Sequence, residues 1–172
     1  MGFPTVASYN KAGAGTGTSD VTVSFTASVG DLVIIAAGIS IASGTVAATG
    51  WTNIMSRVSI GLGISQTMSI MYRVIDGSEG GVATIPRGSS CYMACVYYVI
   101  SASTWDGTTP PEVAHTSMGG GSNANPPSLN PSGWGTEDSL WVAGYFYRNQ
   151  GTTGQPTAYP TNYTSNQLDG YV

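Results

Sequence analysis

The segment SCYMACVYYVI at 90–100 narrows the choice of fold more than any other stretch of the chain. In an extended backbone Cys91, Met93, Cys95, Tyr97 and Val99 point one way, and Tyr92, Ala94, Val96, Tyr98 and Ile100 the other. Both sides are apolar or aromatic, and residues of these kinds favour pleated structure. A strand of this type belongs in the middle of a layered β structure, covered on two faces. LVIIAAGISI at 32–41 reads the same way: β-branched, continuous and too short for most helices. Long solvated helices are excluded by charge. Asp, Glu, Lys and Arg make up only 8% of the residues, against about 25% in an average soluble domain, too few to clothe the outer faces of helices.

The other strands announce themselves by alternation. Val21, Val23 and Phe25 alternate with Thr22 and Ser24. Further strands are expected at 51–58, at 64–76, where Met68, Ile70, Tyr72 and Val74 share a face, and at 82–86. SLWVAGYFYR at 139–148 is expected to be another central strand. The stretch 101–138 holds Asp106-Gly107, Pro110-Pro111 and Pro126-Pro127 and reads as a long loop with one short strand at about 113–118. Residues 149–172 read as turns, and residues 1–19, rich in Gly, Ala and Thr, as a flexible N-terminal arm. The fold expected is all-β, an antiparallel β-sandwich or jelly roll, with 20–172 forming one domain. At 172 residues the chain is long enough to bury a core.

Several functions are disfavoured by what the chain lacks. The net charge is −4 and the basic residues Lys11, Arg57, Arg73, Arg87 and Arg148 are scattered, so nucleic acid is not an expected partner. The longest apolar run, 32–41, has about half the ~20 residues of a membrane-spanning helix, so no membrane is expected. Met1 to Asn10 carries neither a basic nor an apolar leader region, and synthesis in a cytoplasm is expected. Cys91 and Cys95 lie four apart in a strand, roughly 13 Å, beyond disulfide reach. They read as buried thiols.

No catalytic, cofactor-binding or metal-binding residues are expected. The one histidine, His115, would have to serve Cys91 or Cys95 as base, and both cysteines read as core. The carboxylate pairs Asp76 with Glu79 and Glu137 with Asp138 would suit a glycosidase, yet the first falls in a turn and the second at a strand entrance. GAGTGT at 13–18 lacks the flanking strand, helix and lysine of a phosphate loop. Aromatic rings beside amides and carboxylates are the chemistry of sugar recognition, and Trp105, Asp106, Tyr159, Asn162 and Tyr163 are the expected contact residues for a glycan or a protein partner.

Five phrases occur together in one order: GDLVIIAAG at 30–38, GWT at 50–52, MYRVIDGSEG at 71–80, NPPSLNPSGWGTEDSLWVAG at 125–144 and AYPTNYTSNQ at 158–167. Across roughly 20–167 the chain resembles a family of small proteins encoded in the structural regions of tailed bacteriophages. The resemblance implies a non-enzymatic virion protein, assembled in the host cytoplasm, with copies of itself and major capsid or tail proteins as partners. It also implies further strands beyond the AYPTNYT segment. The size of the chain favours a capsid decoration protein that bridges shell subunits as a homo-oligomer. The alternatives are a tail-fibre or tail-tip module binding host glycans, and a self-assembling tube or filament subunit.

Overall fold

The computed structural model describes residues 4–41, 46–61, 64–116, 127, 129, 139–144 and 146. It is all-β and antiparallel, with no helix among the described residues. Seven strands form: β1 (Val6–Gly17), β2 (Val21–Ser24), β3 (Leu32–Ile39), β4 (Thr52–Gly61), β5 (Ile64–Val74), β6 (Val82–Ile85) and β7 (Cys91–Ile100). Five make one sheet in the order β1-β7-β3-β5-β4, and β2 and β6 pair as a ribbon. The layers are unequal: a broad sheet faced by a two-stranded ribbon and the loop that ends at Trp51.

The inner layer holds the larger core. Val33, Ile35, Ala37 and Ile39 of β3 and Cys91, Met93, Cys95, Tyr97 and Val99 of β7 meet Val21, Val23, Ala83 and Ile85 of the ribbon. Phe25 packs edge-on against Trp51, with ring centroids 5.9 Å apart, and lies 6.2 Å from Tyr97. The period-2 split of β7 is the one its sequence dictates, because pairing on both sides by β1 and β3 holds the strand flat.

β5 reverses the simplest reading of its pattern. Met68, Ile70 and Tyr72 do share a face, but it is only half-buried, whereas Thr67, Ser69 and Met71 are fully buried. The reason lies between β3 and β4, at Ile41, Val46 and Ala48. Thr67 Oγ1 donates to Ile41 O at 2.9 Å, Ser69 Oγ accepts from Val46 N at 3.3 Å, and Met71 Sδ accepts from Ala48 N at 3.4 Å. Three successive inward side chains thus satisfy the backbone of the loop that crosses them, and buried hydroxyls with partners are tolerated where unpaired ones are not.

Three expectations require correction. The arm at 1–19 is not free: Val6–Gly17 is an edge strand in register with β7, from Val6 opposite Ile100 to Gly17 opposite Cys91. Small residues read as a linker, yet an edge strand held by ladder bonds needs no large side chains. The short strand expected at 113–118 does not form over 113–116, and 117 and 118 lie outside the described residues. In the strand expected at 139–148, residues 139–144 and 146 join no ladder; they lie across the outer face of the sheet instead. The tail at 149–172 lies outside the described residues.

Candidate functional site

The outer face of the five-stranded sheet is the surface that the inner core leaves over. Along β3 it carries Leu32, Ile34, Ala36 and Gly38; the register sets Ile34 between Tyr98 and Tyr72, and Ala36 between Val96 and Ile70. Leu32, Ile100 and Trp105 form a second buried cluster here, with Ile34, Tyr72, Tyr98 and Leu140 packed against it. Further along, Gly144 approaches Ala36 and Met68, and the Phe146 ring lies on Gly38. Residues 140–144 and Phe146 therefore follow β3 across the face and cover its middle. Among the described residues the cover ends towards β1: Tyr9 is 48% and Tyr92 55% exposed. Trp141 and Val142, on the covering segment, are exposed as well.

Gly38 is what lets the cover sit down. A Cβ at this position would fall inside the Phe146 ring. Gly38→Ala is expected to expel the ring and cost about 1–3 kcal/mol, the usual range for overpacking, read as a lower midpoint in urea unfolding.

The residues singled out from sequence separate. Trp105 is buried and donates from Nε1 to Gly30 O at 3.0 Å, so its ring is spent on the fold and offers no open face. The segment that carries it is pinned by the buried Asp31, whose carboxylate accepts from Ser28 N at 2.7 Å and from Ala102 N at 2.8 Å. Asp106 is exposed but turned onto its own loop, accepting from Thr108 N and Thr109 N at 2.9 and 2.8 Å and from the Thr109 hydroxyl. These bonds hold its carboxyl below the usual carboxylate range. Tyr159, Asn162 and Tyr163 lie outside the described residues, as do Glu137 and Asp138. Tyr9 and Tyr92 were missed. Their only signal was a tyrosine at an outward position of a strand, which sequence alone does not separate from a buried one.

The thiols are set for packing. Cys91 and Cys95 are buried. Burial pushes both upward, Cys95 to about 12, and the nearby Arg87 charge offsets this only in part. Thiolate, the nucleophilic form, is therefore scarce at neutral pH. With the folded value raised, the contribution to stability is complete below the unfolded value of 9.0 and is lost as pH rises toward about 12. A thiol reagent at pH 8 is expected to label neither cysteine until denaturant unfolds the chain.

Asp76 and Glu79 build the loop between β5 and β6. Arg73 Nε meets Glu79 Oε1 at 2.5 Å, and its Nη2 lies 3.2 Å from Asp76 Oδ2 and 2.8 Å from Ser78 Oγ. Glu79 also accepts from Asp76 N and Gly77 N, and Asp76 from Ser78 N. Bonds from Ser78, with Arg73 beside it, lower Asp76 to about 2. The sign follows: the unfolded carboxyl takes up its proton near 3.8, so the loop's contribution is complete above about pH 4 and is lost as pH falls through about 2. A carboxyl NMR titration of Asp76 is expected to show its midpoint near that lower value. The cleft beside this loop, about 370 Å3 and lined by Asp20, Trp51, Arg73, Glu79 and Thr84 among others, opens onto an ion pair already formed. Among the described residues no three His, Cys, Asp or Glu side chains come together as a metal site.

Arg87 carries a charge where charge is unusual. It is 4% exposed, and Nη1 donates to Gly15 O at 2.6 Å, Gly17 O at 2.9 Å and Cys91 O at 2.6 Å. Two hydrogens serve three acceptors, so one bond is shared. Nε has no partner, and among the described residues no carboxylate pairs with this guanidinium. The arginine fastens the end of β1 to β7.

No protein-family model, no curated protein and no solved structure matches this chain.

Proposed function

We propose that the chain is a non-enzymatic structural subunit of a bacteriophage particle, and specifically a capsid decoration protein that seats the open part of its outer sheet face on the shell. The observation that carries this reading is the unequal cover of a sheet apolar on both faces. The inner face is sealed by the ribbon, while the outer face shows Tyr9 and Tyr92 to solvent beside Ala94 and Val96. A flat, partly aromatic surface, with the exposed Lys11 two residues from Tyr9, gains free energy from contact with another protein, at about 25 cal/mol per Å2 of apolar area removed from water. Repetition over a shell multiplies small gains. The phage setting itself rests on the resemblance of the strand-and-turn phrases.

Reconstruction of the particle tests the assignment. Copies on the shell, with Tyr9 and Tyr92 at the contact, are the expected result. A paired Tyr9→Asp and Tyr92→Asp variant should fold normally and no longer bind shells. Density at the tail tip would overturn decoration and favour the second reading, a glycan-binding module. That reading draws on the same two tyrosines, since exposed rings stack on sugar faces. A helical array of this chain alone would make it a tube or filament subunit.

A further inference from the structure

The loop between β5 and β6 leaves part of Arg73 unused. A guanidinium carries five N–H donors. Nε is taken by Glu79 Oε1, and Nη2 by Asp76 Oδ2 and Ser78 Oγ. The hydrogens on Nη1 have no acceptor among the described residues. Nη1 lies against Gly50, where a Cβ would stand 2.8 Å from it. Gly50 takes a φ of +81°, which side chains disfavour, so this position is both shaped and emptied for the guanidinium. Thr49 and Trp51, on either side of Gly50, line the cleft of about 370 Å3 together with Arg73. The spare donor is held rigidly at its wall. The Glu79 side chain that grips Nε is 3% exposed and is itself fixed by Asp76 N and Gly77 N.

The rest of the wall complements that donor. Asp20 is exposed, and its carboxylate has no partner among the described residues. Thr84 adds a hydroxyl from β6, and Trp51 and Pro86 add apolar surface.

Charge selects the class of ligand. An anion would meet Asp20, while Arg73 is already neutralised by Glu79. A cation would meet a guanidinium that cannot turn away or lose its proton. A neutral polyol suits both groups, because a hydroxyl accepts from a guanidinium and donates to a carboxylate. The C–H faces of a sugar ring also pack well on aromatic surface. The volume is near the lower end of the about 300–1,000 Å3 of small-ligand clefts, which limits the occupant to a small one.

We propose that this cleft binds one neutral sugar residue, with Arg73 Nη1 donating to its hydroxyls and Asp20 accepting from them. The cleft opens on the ribbon side of the sheet. Tyr72 belongs to the outer face, so Arg73 points the other way, and Trp51 and Ala83 belong to the inner core. A chain seated on a shell through Tyr9 and Tyr92 therefore holds the cleft towards the medium. The site stands independently of that seating.

The test is an NMR titration of the full chain with the methyl glycosides of glucose, galactose, mannose and N-acetylglucosamine, beside glucuronate and lysine amide as charged probes. The expected result is a saturable shift of the Trp51 indole N–H and the Arg73 Nε–H with at least one glycoside, and none with the charged probes. Asp20→Ala is expected to weaken that binding about tenfold or more, the usual loss for a hydrogen bond to a charged group, with the urea midpoint unchanged because Asp20 is exposed. Thr84→Arg, which fills the cleft from the exposed side of β6, is expected to abolish it. No saturable shift with any glycoside overturns the proposal, as does a response to the charged probes alone. Shifts confined to Tyr9 and Tyr92 overturn it and place the sugar on the outer face. Full binding by both variants overturns it as well. Shell binding is measured separately, so failure of the cleft is told apart from failure of the decoration reading.

Discussion

Arg87→Met is expected to lower stability by about 2–3 kcal/mol, with the loss concentrated at the end of β1. Hydrogen bonds to a charged donor contribute about 1.5–3 kcal/mol each, and Arg87 makes three through one nitrogen. Against this stands the desolvation of the guanidinium, which methionine does not suffer. The balance favours arginine because its removal strands the buried Cys91 carbonyl in the core and releases the carbonyls of Gly15 and Gly17 that tie down the end of β1. Urea unfolding reads the total. Amide hydrogen exchange reads its location, with Ala12 to Gly17 expected to lose protection before β3 or β5 does. Equal stability of the two proteins would mean that the buried charge costs as much as its bonds return.

Ile35→Ala is expected to cost about 3–4 kcal/mol, and Ile34→Ala, one residue away, about 1–2 kcal/mol. Ile35 is fully buried in the main core, between the ribbon and the sheet. Truncating such a side chain leaves a cavity in addition to the lost transfer energy. Ile34 lies on the outer face, half-buried beside Tyr72, Tyr98 and Leu140, where neighbours can close in. For a chain of this size each kcal/mol moves the melting temperature by about 2–4 °C, so the pair should separate clearly in a thermal scan. A reversed order would mean that the outer face is the true core.

The strands were readable because alternation survives any detail of packing. β2, β3, β5, β6 and β7 lie where their patterns put them, and the two faces of β7 sort as expected. The turn at Asp76 was readable for a local reason: Asp-Gly followed by Ser-Glu closes on itself through bonds spanning two and three residues. β1 was not readable. Its Gly, Ala and Thr carry no alternation, and only the finished edge of β7, with Arg87 behind it, makes a strand of them. The role of Trp105 was equally out of reach, since its indole partner, Gly30 O, is far away in sequence. Thr67 and Ser69 look like the solvent side of a strand until Ile41 and Val46 are laid over them.

That the described residues are all-β, and which side chains share a face, followed from local pattern alone, because a period of two is set by the covalent backbone. Which of two apolar faces became the core, whether a glycine-rich stretch joined a sheet, and which aromatic rings stayed in water were decided only by the tertiary structure. Each depends on what layer arrives to cover a given face. That is settled by residues distant along the chain competing for one surface, and no local pattern records the outcome.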